Sequence, residues 1–166
     1  MIRNQTLHET LIPALVAGIG ARNYLEFGTH QNQTIGNVRC PLRYGVDRIT
    51  MPLYGAEMFN MTTEEFIANV AHLYAPYDFV FIDADHCLDS ARRDFFGIID
   101  YVAAEGIICL HDTNPETVAD TAAGFCGDSW KLAEILHGSG MFDAVTLPYH
   151  PGLTIVRNRK TWGPAR

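Results

Sequence analysis

Five side chains able to bind a metal or carry a proton stand just past two apolar runs. Tyr77-Asp78-Phe79-Val80-Phe81-Ile82 leads into Asp83-Ala84-Asp85-His86, and Gly106-Ile107-Ile108-Cys109-Leu110 leads into His111-Asp112. Carboxylates and imidazoles gathered in one place can hold a divalent ion or exchange a proton with a substrate. Continuous runs rich in β-branched and aromatic residues predict strands buried on both faces. In open parallel sheets, ligands bind outside the carboxyl ends of such strands. If one helix joins the two strands, Asp83, Asp85, His86, His111 and Asp112 share one sheet edge, as a metal or acid–base site.

The elements that must place these residues follow in order. Residues 4 to 18 predict an amphipathic helix with Leu7, Leu11, Ala14, Leu15 and Gly18 on one face, kinked or split at Pro13. Asn23 to Gly28 predicts the first strand, and the segment from Thr29 predicts a helix running to about Val38. A strand, a Gly-bearing turn and a helix start would together point free amides at a ligand. Only Gly28 is present where a nucleotide loop usually has several glycines, but Asn32 tolerates left-handed dihedrals. Leu42 to Asp47 predicts the second strand, and its terminal acid is placed to accept ribose hydroxyls or to cap a turn.

Glu57 to Met61 predicts a short third strand. Thr62-Thr63-Glu64-Glu65 opens a helix to about Tyr74, with Phe66, Ile67, Val70 and Leu73 on its buried side. Cys87 to Ala103 predicts another helix, with Asp89, Arg92, Arg93 and Asp94 on a solvated face. Residues 113 to 127 read as a long loop over the sheet edge, with room for one helical turn. Asp128 and Ser129 cap a helix from Trp130 to His137, and Phe142 to Leu147 with Leu153 to Arg157 form a closing antiparallel hairpin. Alternating strands and helices predict an α/β fold with a mostly parallel sheet and helices on both faces.

The totals agree with one soluble domain over residues 1–166, in which 1–20 form a helical cover and 158–166 a flexible tail. The net charge of −7 argues against a broad nucleic-acid footprint. The four cysteines include no Cys-x-x-Cys pair, and no signal peptide or membrane span is expected, so a reducing cytoplasm is the expected location.

Several motifs resemble the class I S-adenosylmethionine-dependent methyltransferases, in particular the small bacterial group similar to macrocin-type sugar O-methyltransferases. They are Leu25-Glu26-Phe27-Gly28 with Thr34, Gly45-Val46-Asp47, Met61 to Phe66, Phe81 to His86, Gly106-Ile107-Ile108, His111 to Pro115 and Gly127 to Lys131. The resemblance implies a Rossmann-like seven-stranded sheet ending in an antiparallel pair. It implies that Glu26, Gly28, Thr29, His30 and Asn32, with Asp83, hold the methionine part of the cofactor, that Asp47 takes the ribose, and that Met61 and Thr62 border the adenine. In metal-dependent relatives, acids ending the fourth and fifth strands bind Mg²⁺; by position these are Asp83, Asp112 and, in place of an acid, His111, whose imidazole suits Mn²⁺ better. Asp85 matches a position proposed as general base, and His86 and His111 join it as candidate catalytic residues.

The expected function is therefore methylation of a small hydroxylated, sugar-like substrate, with S-adenosylmethionine and Mg²⁺ or Mn²⁺ as cofactors and a homodimer through the first helix or the hairpin edge open to the chain. Two other readings stand beside it. His30 and Asn32 thin the glycine loop, which would suit a binding or assembly module that kept only the fold. Asp83, Asp85, His86 and His111 would also serve a metal-dependent hydrolase.

Overall fold

The computed structural model describes residues 6–158. The expected tail beyond Asn158 and the first residues of the expected N-terminal helix lie outside them. Seven strands form one sheet: β1 (Asn23–Phe27), β2 (Leu42–Asp47), β3 (Glu57–Asn60), β4 (Tyr77–Ile82), β5 (Val102–His111), β6 (Phe142–Leu147) and β7 (Leu153–Asn158). Their order is β3-β2-β1-β4-β5-β7-β6. The first five are parallel, whereas β7 lies antiparallel between β5 and β6. The expected Rossmann-like architecture with its closing hairpin is the one observed.

Alternation along the central strands divides the apolar residues between two faces. Leu25, Phe27, Val80, Ile82, Ile108 and Leu110 belong to one core. It is closed by Phe66 of α2 (Thr63–Asn69), by Phe95 and Ile98 of α4 (Leu88–Ile98), and by Leu132 and Leu136 of α5 (Trp130–Gly138). Tyr24, Phe79, Phe81 and Cys109 belong to the opposite core, closed by Ile12 and Val16 of α1 (Leu7–Gly18) and by Ile35 and Val38.

Several local expectations change. No helix follows Gly28: residues 30–37 are a run of turns. His30 and Asn32 take left-handed backbone (φ 45° and 60°), which a right-handed helix cannot include. The loop therefore offers single amides rather than a helix N-terminus. The helix expected from Thr63 to Tyr74 divides at Val70 (φ −124°) into α2 and α3 (Ala71–Tyr74), and Leu73 is 66% exposed.

In α1 the buried residues are Glu9, Ile12 and Val16, while Leu7, Ala14 and Gly18 face out. The helix rolls so that Ile12 and Val16 fill the second core, and it runs through Pro13 unbroken. Asp94, expected in solvent, is buried; burial pushes its carboxyl up to about 6, against a hydrogen bond from the Thr63 side chain. Ser129 does not cap α5 with its side chain; its hydroxyl donates to the Cys126 carbonyl, while Asp128 Oδ1 accepts from the Leu88 amide at 2.7 Å.

Candidate active site

Strand register puts the chemistry in one row. Phe27 pairs with Val46 and with Ile82, and Ile82 pairs with Leu110. The next residue of each strand is Asp47, Gly28, Asp83 and His111, so these four cross the C-terminal edge of the sheet side by side. Partners in a parallel register point to the same face, and His111 Nδ1 indeed lies 3.0 Å from Asp83 Oδ1. One residue on, Asp112 turns back at φ 57° and brings Oδ2 within 3.3 Å of the same nitrogen.

His86 closes the group from the β4–α4 loop, with Nε2 3.0 Å from Asp112 Oδ2. Its Nδ1 is hydrogen-bonded to the Phe125 carbonyl. Its own carbonyl accepts from the amides of Asp128 and Ser129 at 2.9 and 3.1 Å. Gly127 makes that seam possible: a Cβ there would stand 2.1 Å from the His86 oxygen. Ligand atoms of Asp83, His86 and Asp112 all lie within 4.8 Å of one another.

Two hollows meet at this edge. One, about 480 Å³, is lined by Glu26, Thr29, His30, Asp83, His86, His111 and Asp112, among others. The other, about 390 Å³, is lined by Asp47, Met61, Thr62 and Asp85. Gly28, Asp47 and Ala84 belong to both and form the neck between them. At Gly28 (φ 83°) a Cβ would stand 2.1 Å from the Asp83 carbonyl oxygen, so only glycine lets the main chain after β1 and that after β4 lie this close at the neck. Asp47 Oδ2 accepts the His30 amide at 2.9 Å. Asn32 ties its own loop down through Nδ2 to the Met51 carbonyl.

The residue set expected from the sequence is thus divided by the neck. Asp85 faces the second hollow, and its oxygens are engaged by the Cys87 amide and the Ser90 hydroxyl. It stands apart from the group formed by Asp83, His86 and Asp112.

Residues 26–113, just over half of the chain, match the family model described as a methyltransferase domain. The chain belongs to this family. Nothing among curated proteins matches this methyltransferase domain. Solved structures do. A Staphylococcus aureus protein assigned as a caffeoyl-CoA O-methyltransferase superposes with a TM-score of 0.72 at 16% identity, covering 94% of this chain and 85% of that one. An O-methyltransferase from Bacillus cereus in complex with SAH gives 0.71 at 16%, covering 93% and 84%. MycE, a methyltransferase of the mycinamycin biosynthetic pathway in complex with Mg and SAH, gives 0.62 at 18%; there 87% of this chain covers 47% of MycE. The fold is that of the class I S-adenosylmethionine-dependent O-methyltransferases.

Electrostatics of the methyltransferase cleft centre on buried groups. Burial works against charge on His111, but Asp83 and Asp112 outweigh it and hold the ring up to about 10. Burial likewise opposes the Asp112 carboxylate, which His111 and His86 nevertheless keep below the ordinary carboxylate range. Glu26 lies on the α1 side of the sheet, hydrogen-bonded to the Tyr24 hydroxyl. Burial pushes its carboxyl up to about 8, with Asp83 adding to the rise.

Several lining residues were not expected from the sequence. Thr6 and α1 bring His8 and Glu9 to the first hollow, and loops bring Gln33, Thr34, Phe125, Cys126 and His150. The His8 ring stands edge-on to His111, with centroids 4.2 Å apart. Burial, then the His111 charge, lowers its pKa. The polar run His8-Glu9-Thr10 inside an otherwise apolar helix was the one available signal.

Proposed function

We propose that this chain transfers the methyl group of S-adenosylmethionine to a hydroxyl of a small, sugar-like molecule, as a single methyltransferase unit, with a divalent ion assisting. The observation that carries this reading is the two-lobed cleft whose neck is Gly28. A cofactor with a nucleoside at one end and an amino acid at the other needs such a neck.

The chain's residues fit that group. Asp47 stands at the neck to accept ribose hydroxyls, and Met61 and Thr62 line the adenine side. Glu26, Thr29, His30 and Asn32, with Asp83, surround the methionine side. Thr29 Oγ1 and Asn32 Oδ1 are buried with no hydrogen-bond partner among the described residues, which leaves polar atoms of this loop to be satisfied. The left-handed backbone at His30 and Asn32 keeps the loop in a shape usually given to glycine, so the cradle survives their side chains.

Asp83, His86 and Asp112 fit a divalent ion by donor type and convergence. Such an ion, when bound, acidifies a coordinated hydroxyl. His111 holds its Nδ1 proton between Asp83 and Asp112 and keeps both carboxylates oriented. His8, held neutral by burial and by the His111 charge, is the proton acceptor on the cavity wall. Glu9, Phe125 and His150 shape the space for the acceptor molecule. Among the described residues no helix is long and apolar enough to cross a membrane.

Calorimetric titration with S-adenosylmethionine tests the cofactor, and transfer of a labelled methyl group to a panel of sugars and catechols tests the reaction. Micromolar cofactor binding is expected. Absence of binding with and without divalent ions would sink the transferase reading and favour a binding module.

A further inference from the structure

Resting on the metal-assisted reading above, we propose that His86 is itself a metal ligand and that through it the site takes a borderline ion such as Mn²⁺, Co²⁺ or Zn²⁺ in preference to Mg²⁺. The position expected to supply the third ligand was His111. In the structure, however, the His111 Nδ1 faces carboxylate oxygens at 3.0 and 3.3 Å, as a donor to both acids. That is the geometry of a group that orients ligands from behind. His86 is arranged in the opposite way. Its Nδ1 meets the Phe125 carbonyl, which can only accept, so the ring proton belongs on Nδ1. With the proton on Nδ1, the Nε2 lone pair is left for a metal; Nε2 stands 3.0 Å from Asp112 Oδ2, a separation that suits two donors on one cation, and the ligand atoms of Asp83, His86 and Asp112 all fall within 4.8 Å.

A metal-binding histidine commonly has its second nitrogen fixed by a backbone carbonyl in this manner. Three contacts with residues 125–129 hold His86 there: the Phe125 carbonyl on its ring, and the amides of Asp128 and Ser129 on its own carbonyl. The ring is therefore aimed by backbone, not left to rotate.

Donor chemistry decides which ion. Mg²⁺ demands hard oxygen ligands and retains water, whereas imidazole favours first-row transition ions and zinc. The two carboxylates alone would accept either ion, so the test lies in how a change at position 86 alters the ratio of Co²⁺ to Mg²⁺ affinity. Co²⁺ and Mg²⁺ are titrated separately into the purified protein, His86→Ala and His86→Asp, by calorimetry. Visible absorption of the Co²⁺ complex is recorded, since its ligand-field bands respond to nitrogen ligation. His86→Ala is expected to weaken Co²⁺ by at least about tenfold and to change Mg²⁺ much less. His86→Asp should restore binding while moving the preference towards Mg²⁺. The Co²⁺ bands should shift in both variants.

An unchanged Co²⁺ to Mg²⁺ ratio and unchanged bands in either variant overturn the assignment. If His86→Ala does not fold, His86→Asp alone decides. S-adenosylmethionine is titrated into the same samples. Cofactor binding by a protein that binds no Co²⁺ overturns only this inference, whereas Co²⁺ binding without cofactor binding overturns only the transferase reading.

Discussion

Replacing Glu26 with glutamine should make the fold more stable at high pH and less able to hold the cofactor. Glu26 is 1% exposed and lies among Tyr24, Phe79 and Phe81 on the α1 side of the sheet. Its carboxyl titrates at about 8 in the fold, against an ordinary value of 4.5. The folded chain therefore holds a proton between those two points that the unfolded chain has released. Stability is greatest below pH 4.5, falls as pH rises, and levels off above about 8. Each pH unit in that window costs about 1.4 kcal/mol, so the full loss is on the order of 5 kcal/mol. The glutamine of the variant carries no proton to lose. It forfeits part of the hydrogen bonding from Tyr24 and Ile35, worth roughly 1 kcal/mol.

Urea melts at several pH values between 5 and 8.5 measure this. The wild type should be equal or slightly more stable at pH 5, and the variant more stable by about 3 kcal/mol at pH 8. Subtracting one curve from the other removes His111, whose raised pKa also costs stability as pH climbs from 6.5 towards 10. Parallel curves would refute the buried-proton argument. If the ionised Glu26 pairs with the cofactor ammonium, S-adenosylmethionine binding should also release a proton near pH 7. The heat of binding would then depend on the buffer, and Glu26→Gln would abolish that dependence.

Three further substitutions separate the parts of the cleft. Gly28→Ala places a methyl 2.1 Å from the Asp83 carbonyl at φ 83°, and should cost several kcal/mol, about 3 or more, in thermal or urea unfolding. Asp47→Ala should weaken S-adenosylmethionine by roughly tenfold to a hundredfold, the worth of hydrogen bonds to a charged group, without lowering binding of the acceptor. His8→Gln should lower kcat by about a hundredfold while leaving cofactor affinity intact, and the acid limb of the wild-type pH–rate profile should have its midpoint below 6.5 and vanish in the variant.

The strands were legible because a buried strand announces itself: Phe79 to Ile82 and Ile107 to Leu110 have few other uses. Register then follows, and with it the row from Asp47 to His111. What the sequence hid was governed by contacts between distant segments. Nothing local says that His30 turns left-handed, because that conformation is held by its amide on Asp47, seventeen residues away. Asp94 reads as solvated by helical period, yet α4 packs against α2 and covers it. Of the two histidines the sequence pointed to His111 as the ligand, since the carbonyl that aims His86 belongs to Phe125, thirty-nine residues on. Likewise His8 reaches the cleft only because α1 rolls to bury Ile12 and Val16.

Glycines at 28, 127 and 152 each bring main chain against main chain around the cleft. A methyl added at any of them would stand within 2.1 to 2.3 Å of the Asp83 oxygen, the His86 oxygen or the Asn114 nitrogen. The opening thus has a rigid frame in which side-chain identity is fixed by space alone. Between the frame points, and apart from the proton acceptor His8, the walls include single side chains carried on loops: Phe125 and His150. Diversity can accumulate there without moving the reacting centre. A library that retains the three glycines and randomises those wall positions should therefore shift acceptor choice while most members still fold, whereas one that randomises the frame should yield few soluble proteins.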